Sequence, residues 1–447
     1  MADPTMSNLM TTPCDSRNRD PAVMQPLLAR SRPPSAARKT RAAALSIGAI
    51  LLAVTMPAGA APDEVRLGRD LNYPACTDYV RRIECRVGAF STPQGRRVAP
   101  SSQPRPLARA AVAPRIEMDW GGQRQDLAVY LAGHKATALM VLKHGEIIFE
   151  GYQYDRHERS LLRSFSMAKT ITSLLVGMAH ARGQIASLDD LAETYVPAIA
   201  GTLYGQTSIR HLLRMSSGVK FEENYSGTAD SDLVKFYSRL FSPNPSGFVQ
   251  AVRLFDERAT PVGVRFKYST SETEVLARVL TSATRRTITQ LTQEWLWEPL
   301  GAEDPAYWLV ARADGVENGG GGFFATLRDW AKLGKLLAND GRIGEQQLLP
   351  LDYLLEATDA NRVPPAFRPG TATPYSGYGY QTWLFPMRER TFALLGIHGQ
   401  SIFVQPASGV VMVQLSVYDQ ASGDPMGRHK DAMWRAVLKA LGGSDAR

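Results

Sequence analysis

Three stretches of this 447-residue chain hold side chains able to carry nucleophilic chemistry. In RSFSMAKTITSLLVGMAHARGQI, Ser166 and Lys169 stand three residues apart at the head of an apolar run. Residues at that spacing share one face of a helix, so the lysine can meet the serine hydroxyl. A serine hydroxyl is a weak nucleophile until an adjacent base takes its proton. A lysine can be that base only where its pKa is lowered. A helix N-terminus also offers unpaired N–H groups, which places the backbone N–H of Ser166 to hold a developing oxyanion. The spacing alone is weak. Composition yields S-x-x-K about 0.004 times per position, and the chain also contains Ser217-Gly218-Val219-Lys220. That second copy has a glycine inside it and no apolar run behind it, so it reads as a loop. Taken by itself, the motif reads better as an N-cap serine followed by a surface lysine.

The other two stretches change the weighing. RFKYSTSETEVLARVL places Tyr268-Ser269-Thr270 immediately before a helix, and LLGIHGQSIFVQPASGVVMV places His398-Gly399-Gln400 between two strands. With Ser-x-x-Lys, Tyr-Ser-x and a strand triplet in this order, the sequence resembles the serine β-lactamase and penicillin-recognising hydrolase superfamily. It is most similar to the branch holding class C β-lactamases, esterases of the β-lactamase fold and 6-aminohexanoate-dimer hydrolases. The flanks SLDDLAETYVP, IRHLLRMSSGVKFEENY, GGGGFFATLRDWAKLGKLLANDGRIGEQQLLP and YGYQTWL support it, and the resemblance spans roughly Thr137 to the C-terminus.

The resemblance implies an acyl-enzyme on Ser166. Lys169 would help remove the serine proton, and Tyr268 would act with it as general base and then protonate the leaving group. Backbone groups of Gln400 or Ser401 would supply the second oxyanion donor. Tyr225, in KFEENYSGTADSD, would contact substrate, the alternative being an exposed loop tyrosine. Two positions depart from the β-lactamase pattern. His398-Gly399-Gln400 stands where Lys-Thr-Gly is common, and that lysine helps bind an acidic carboxylate. Thr270 stands where asparagine is frequent. Both departures weigh against antibiotic hydrolysis, and His398 itself is either a substrate contact or a hinge residue. The expected function is an exported serine hydrolase acting on a small ester, amide or short peptide-like substrate, with no cofactor. The alternatives are a non-catalytic penicillin-binding or cell-wall scaffold protein, a true β-lactamase, or a D-amino-acid peptidase.

These residues need elements to hold them. ATALMVLKHGEIIFEGYQYD gives two β-rich runs joined at His144-Gly145, a hairpin signal. Ile171, Leu174, Leu175 and Met178 recur at three and four, which predicts a helix after Ser166 ending near Arg182-Gly183. From about residue 185 to 360, helical patterns alternate with Gly/Pro loops. Gly319 to Gly322 reads as a flexible turn before an FFATLRDWAKLG helix, because the lysine of a phosphate loop does not follow it, and the resemblance implies that such glycines line the cleft opposite the serine. RTFALLGIHG and SIFVQPASGVVMVQLSVYD return to strands around an Ala407-Ser408-Gly409 turn, and DAMWRAVLKALGG closes the chain as an amphipathic helix. This order predicts an α+β fold, β-lactamase/transpeptidase-like by resemblance. Its antiparallel sheet would come from N- and C-terminal strands flanked by helices, beside a mostly helical insertion domain.

The expected hydrolase domain is 113–447. The net charge of +8 lies wholly ahead of it, with seven Lys/Arg against three Asp in 1–60 and nine Arg against five acids in 61–112. The neutral body offers no basic face to nucleic acid. ARKTRAAALSIGAILLAVTMPAGAAPDE has the basic, apolar, A-x-A order of a secretory signal, with an uncleaved membrane anchor as the alternative. Export, to the periplasm of a bacterium, is the expectation. Cys76 and Cys85 would then pair as a local disulfide in an oxidising compartment. STPQGRRVAPSSQPRPLARAAVAP reads as an extended linker. The histidines other than His398 show no H-E-x-x-H spacing, so no metal is expected, and G-x-S-x-G is absent.

Overall fold

The computed structural model describes residues 64–66, 94–225 and 229–446, so the export segment in 1–60 and the Cys76–Cys85 pair lie outside the described residues. The central sheet is built from both ends of the hydrolase region. Its strands are β1 (Ala136–Lys143), β2 (Glu146–Tyr152), β3 (Gly377–Tyr378), β4 (Trp383–Leu384), β5 (Phe392–Gly396), β6 (Gln400–Gln405) and β7 (Val410–Ser416). They pair antiparallel in the order β3-β4-β5-β6-β7-β1-β2. His144 and Gly145 join β1 to β2 with positive φ at both positions (49° and 81°), the turn whose twist matches the flanking strands.

Alternation along the strands decides what each face covers. In β1, Ala138, Met140 and Leu142 enter one core while Leu139 and Val141 enter the other. Ile402, Val404, Val411 and Val413 follow the first set, and Phe403 and Met412 the second. Both faces are thus covered, which is why β1 reads as a nearly unbroken apolar run. The first face carries α1 (Ala168–Ala181) and α3 (Leu327–Ala338), with α2 (Thr270–Thr284) packed against α1. The second face carries α4 (Met426–Ala440) through Met433, Trp434, Val437 and Leu438. This is the expected α+β arrangement of an antiparallel sheet between helical layers.

A second, five-stranded antiparallel sheet runs in the order 64–66, 94–98, 306–310, 323–325, 162–163. It corrects two sequence expectations. The stretch read as a linker contributes Gln94–Val98, which pairs with Ala306–Val310. Arg96 reaches the buried Glu317 at 2.7 Å, and Ser101 N donates to Ala302 O. The helix read from Phe323 begins only at Leu327. Phe323–Ala325 is a buried strand, and Thr326 caps the helix by accepting from Asp329 N. The last strand, Leu162–Arg163, delivers the chain directly into the turn that bears Ser166.

Candidate active site

Ser166 sits in a single 3-10 turn, Phe165–Met167, and α1 begins two residues later. The turn is strained. Phe165 adopts φ 43°, in the left-handed region that bulky side chains avoid at a cost of about 1–3 kcal/mol. Its ring is held between the Arg163 guanidinium, 4.3 Å from the centroid, and the His398 ring at 5.5 Å. Ser164 anchors the turn to the second sheet, donating its N–H to Phe323 O and accepting from Phe323 N at its hydroxyl.

One turn along the helix, Lys169 returns to the nucleophile. Its Nζ donates to Ser166 Oγ at 3.1 Å and to Gly320 O at 2.6 Å, and the residue is 1% exposed. Burial pulls its pKa down to about 8, against the opposing pull of Glu223 and Glu274. Lys169 is therefore no surface lysine. The Gly320 acceptor is itself fixed. Its N–H donates to Glu274 Oε1 at 3.0 Å, and Arg278 Nη1 donates to Glu274 Oε2 at 2.6 Å. The glycine run is accordingly a packed wall and not a flexible turn. A Cβ on Gly320 would lie 2.7 Å from Thr270, and one on Gly319 3.0 Å from Thr172.

Tyr268 arrives from the loop ahead of α2 and lines the same cleft as Ser166. Trp383 stacks on its ring at 5.5 Å and 17°, and Lys169 Nζ lies 5.1 Å from the ring centroid. Burial first, then the Glu223 carboxylate, push the phenol above its usual value, and the nearby Ser166 hydroxyl offsets this only in part. The phenol keeps its proton at neutral pH. Hydroxyl, amine and phenol thus converge on one point, with an amine able to lose a proton near neutrality and a phenol able to give one.

Glu223 was missed in the sequence reading. Its carboxylate accepts from Thr270 N at 2.9 Å and Thr270 Oγ1 at 2.5 Å, capping α2 from another loop, and also from Tyr225 OH at 3.1 Å. One residue thereby fixes the Tyr268 loop, explains Thr270 and orients Tyr225. No periodicity marks it, since it lies in an irregular loop. Ser217, of the second S-x-x-K, donates instead to the buried Glu272, while Lys220 pairs with Glu257 at the surface.

The strand triplet divides in function. His398 is a turn residue at φ 60°, its Nδ1 bonded to Tyr418 O at 2.8 Å, and it does not line the cleft. Gly399 lines the cleft at φ 92°, where a Cβ would lie 2.4 Å from the Tyr418 ring. Gln400 also lines it, but its side-chain amide ties β6 to β7 through Ser416 O and N. Ser401 Oγ is buried with no partner among the described residues. A Cβ on Gly396 would lie 2.4 Å from Ser164 O, so the triplet abuts the nucleophile turn. The cleft, of about 740 Å³, is lined by Ser166, Tyr268, Tyr225, Glu223 and Trp383, and also by Gly399, Tyr418 and residues of α4. Among the described residues no group of three or more His, Cys, Asp or Glu could hold a metal ion.

Comparison with known proteins adds to this geometry. A family model described as Beta-lactamase matches residues 125–432. A 6-aminohexanoate-dimer hydrolase from Paenarthrobacter ureafaciens is 25% identical over 321 residues, covering 70% of this chain and 79% of that protein. Among solved structures, a Bacillus anthracis protein provisionally assigned as a 6-aminohexanoate-dimer hydrolase aligns with TM-score 0.69 at 20% identity, covering 79% of this chain and 92% of that one. EstCE1, a hydrolase with promiscuous acyltransferase activity, aligns with TM-score 0.55 at 18% identity, covering 69% and 95%.

Proposed function

The chain belongs to the β-lactamase family of hydrolases, and from that premise we propose that it cleaves a small amide or ester through an acyl-enzyme on Ser166. The observation that supports this most is that buried Lys169 donates to Ser166 Oγ while its Nζ lies 5.1 Å from the ring of Tyr268, which lines the cleft with that serine. Ser166 Oγ attacks the carbonyl carbon while its proton passes to neutral Lys169. The resulting oxyanion is met by the Ser166 N–H and a backbone donor from Gln400 or Ser401. Tyr268 gives its proton to the departing amine or alcohol and is reprotonated from Lys169. Water then attacks the acyl ester by the reverse relay, releasing the acid and free Ser166.

The curated relative acts on a 6-aminohexanoate dimer, which favours short linear amides as the substrate class. We also propose export, on the basic-apolar-A-x-A order ahead of Ala61. The test of the catalytic reading is brief exposure to a fluorophosphonate or a p-nitrophenyl ester, followed by intact mass and peptide mapping. Acylation at Ser166, lost in Lys169→Ala, is the expected result. No adduct, together with no ester turnover, would return the chain to a scaffold role. N-terminal sequencing of secreted material tests export, with a mature chain beginning near Ala61 expected.

A further inference from the structure

Gln381, of the YGYQTWL stretch, lies in the connection from β3 to β4 and is only 2% exposed. Its φ of 55° falls in the left-handed region that glutamine avoids. Hydrogen bonds to every polar atom hold it there. Its backbone N–H donates to Leu213 O at 3.0 Å, and its side-chain Nε2 donates to Leu212 O at 2.9 Å and to Leu213 O at 3.0 Å. Its backbone O accepts from Thr170 Oγ1 and its Oε1 from Thr273 Oγ1, both at 2.7 Å. Backbone carbonyls can only accept, so the amide nitrogen must face Leu212 and Leu213 and the amide oxygen must face Thr273.

The two threonines connect this residue to the reaction. Thr170 follows Lys169 in the first turn of α1, and Thr273 stands in the first turn of α2, five residues after Tyr268. A helical threonine can return its hydroxyl to the preceding turn of its own helix. Both direct it instead to one glutamine, which joins the start of the helix carrying the base to the start of the helix behind the phenol. Apolar packing between the two helices is non-directional, whereas hydrogen bonds require a set length and angle and so fix their register. Two residues beyond Gln381, Trp383 stacks on the Tyr268 ring, so the same short connection also sets the wall behind the phenol.

We propose that Gln381 is a positioning residue for acylation: it locks α1 to α2 at the separation that lets Tyr268 deliver its proton to the group leaving Ser166-bound substrate. The proposal rests on the hydrolase reading above and concerns the same site. Gln381 does not line the cleft, so it acts through Thr170 and Thr273 and not on the substrate. A displacement of about 1 Å in such a geometry costs as much as about 100-fold in rate.

The test compares two esters in the full chain. The leaving group of p-nitrophenyl butyrate departs without a proton, and that of phenyl butyrate departs far more readily with one. The readout is kcat/KM for each, which reports acylation by one and the same acyl group. In Thr273→Val, which keeps the side-chain shape and removes the hydroxyl, phenyl butyrate should lose about fivefold or more while p-nitrophenyl butyrate loses under about twofold. Thr273→Ser should restore the wild-type ratio. Gln381→Gly relieves the backbone and removes the side-chain bonds, and should widen the split to about tenfold or more. Loss of stability alone would scale both esters equally. If Gln381→Gly does not fold, the two Thr273 variants decide alone. An unchanged ratio in folded Thr273→Val or Gln381→Gly overturns the proposal, as does a Thr273→Ser that behaves like the valine variant. A wild type that cleaves only the p-nitrophenyl ester overturns it too, because no proton is then delivered. A wild type that cleaves neither ester removes the hydrolase reading instead.

Discussion

The burial of Lys169 makes a quantitative demand on the pH–rate profile. An exposed lysine at 10.5 would be neutral in about 0.03% of molecules at pH 7, whereas one at about 8 is neutral in about 9%. The depression therefore multiplies the competent population roughly 300-fold, equivalent to about 3 kcal/mol of barrier. Because the base must be deprotonated, kcat/KM for a neutral p-nitrophenyl ester should rise with pH and level off above about 8. Between pH 5.5 and 7 the slope should approach tenfold per unit. Replacing Glu223 by Gln removes the carboxylate that most strongly holds the proton on Lys169, so the inflection should move to lower pH. The assay is background-corrected initial rates from pH 5.5 to 9.5 for wild type and Glu223→Gln. A flat profile, an inflection near the ordinary histidine range, or an upward shift in the variant would refute Lys169 as the base.

Other consequences concern the neighbouring residues. Tyr268→Phe should reduce amide turnover by about 100-fold or more and p-nitrophenyl ester turnover far less, because p-nitrophenolate leaves without a proton; parallel kcat values check this. Gly399→Ala forces a side chain onto the Tyr418 ring at an unfavourable φ, so both melting temperature and activity should fall. Glu223→Ala uncaps α2 and should cost about 1 kcal/mol in denaturant unfolding. Lys220→Ala, in the second S-x-x-K, breaks only a surface pair and should leave kcat/KM and melting temperature unchanged.

What could be read in advance followed from how local each signal is. Helix spacing brings Lys169 to Ser166, and alternation plus a His-Gly turn builds the β1–β2 hairpin; both are short-range and both appear in the structure. Tyr268 is 102 residues from Ser166, so its approach could be inferred only from resemblance, not from periodicity. Glu223 and Glu274 were not legible as site residues because each acts through a backbone group or another side chain far along the chain. The linker expectation failed for the same reason, since a proline-rich stretch reads as extended until Arg96 is placed beside Glu317. Lys430 is different. It stands three, four and seven residues before Met433, Trp434 and Val437, so it falls on the apolar face of α4. A charged residue on the buried stripe of an amphipathic helix is a local signal. It says that an ammonium must enter the protein, and only the fold shows that the place it enters is the wall of the cleft holding Ser166.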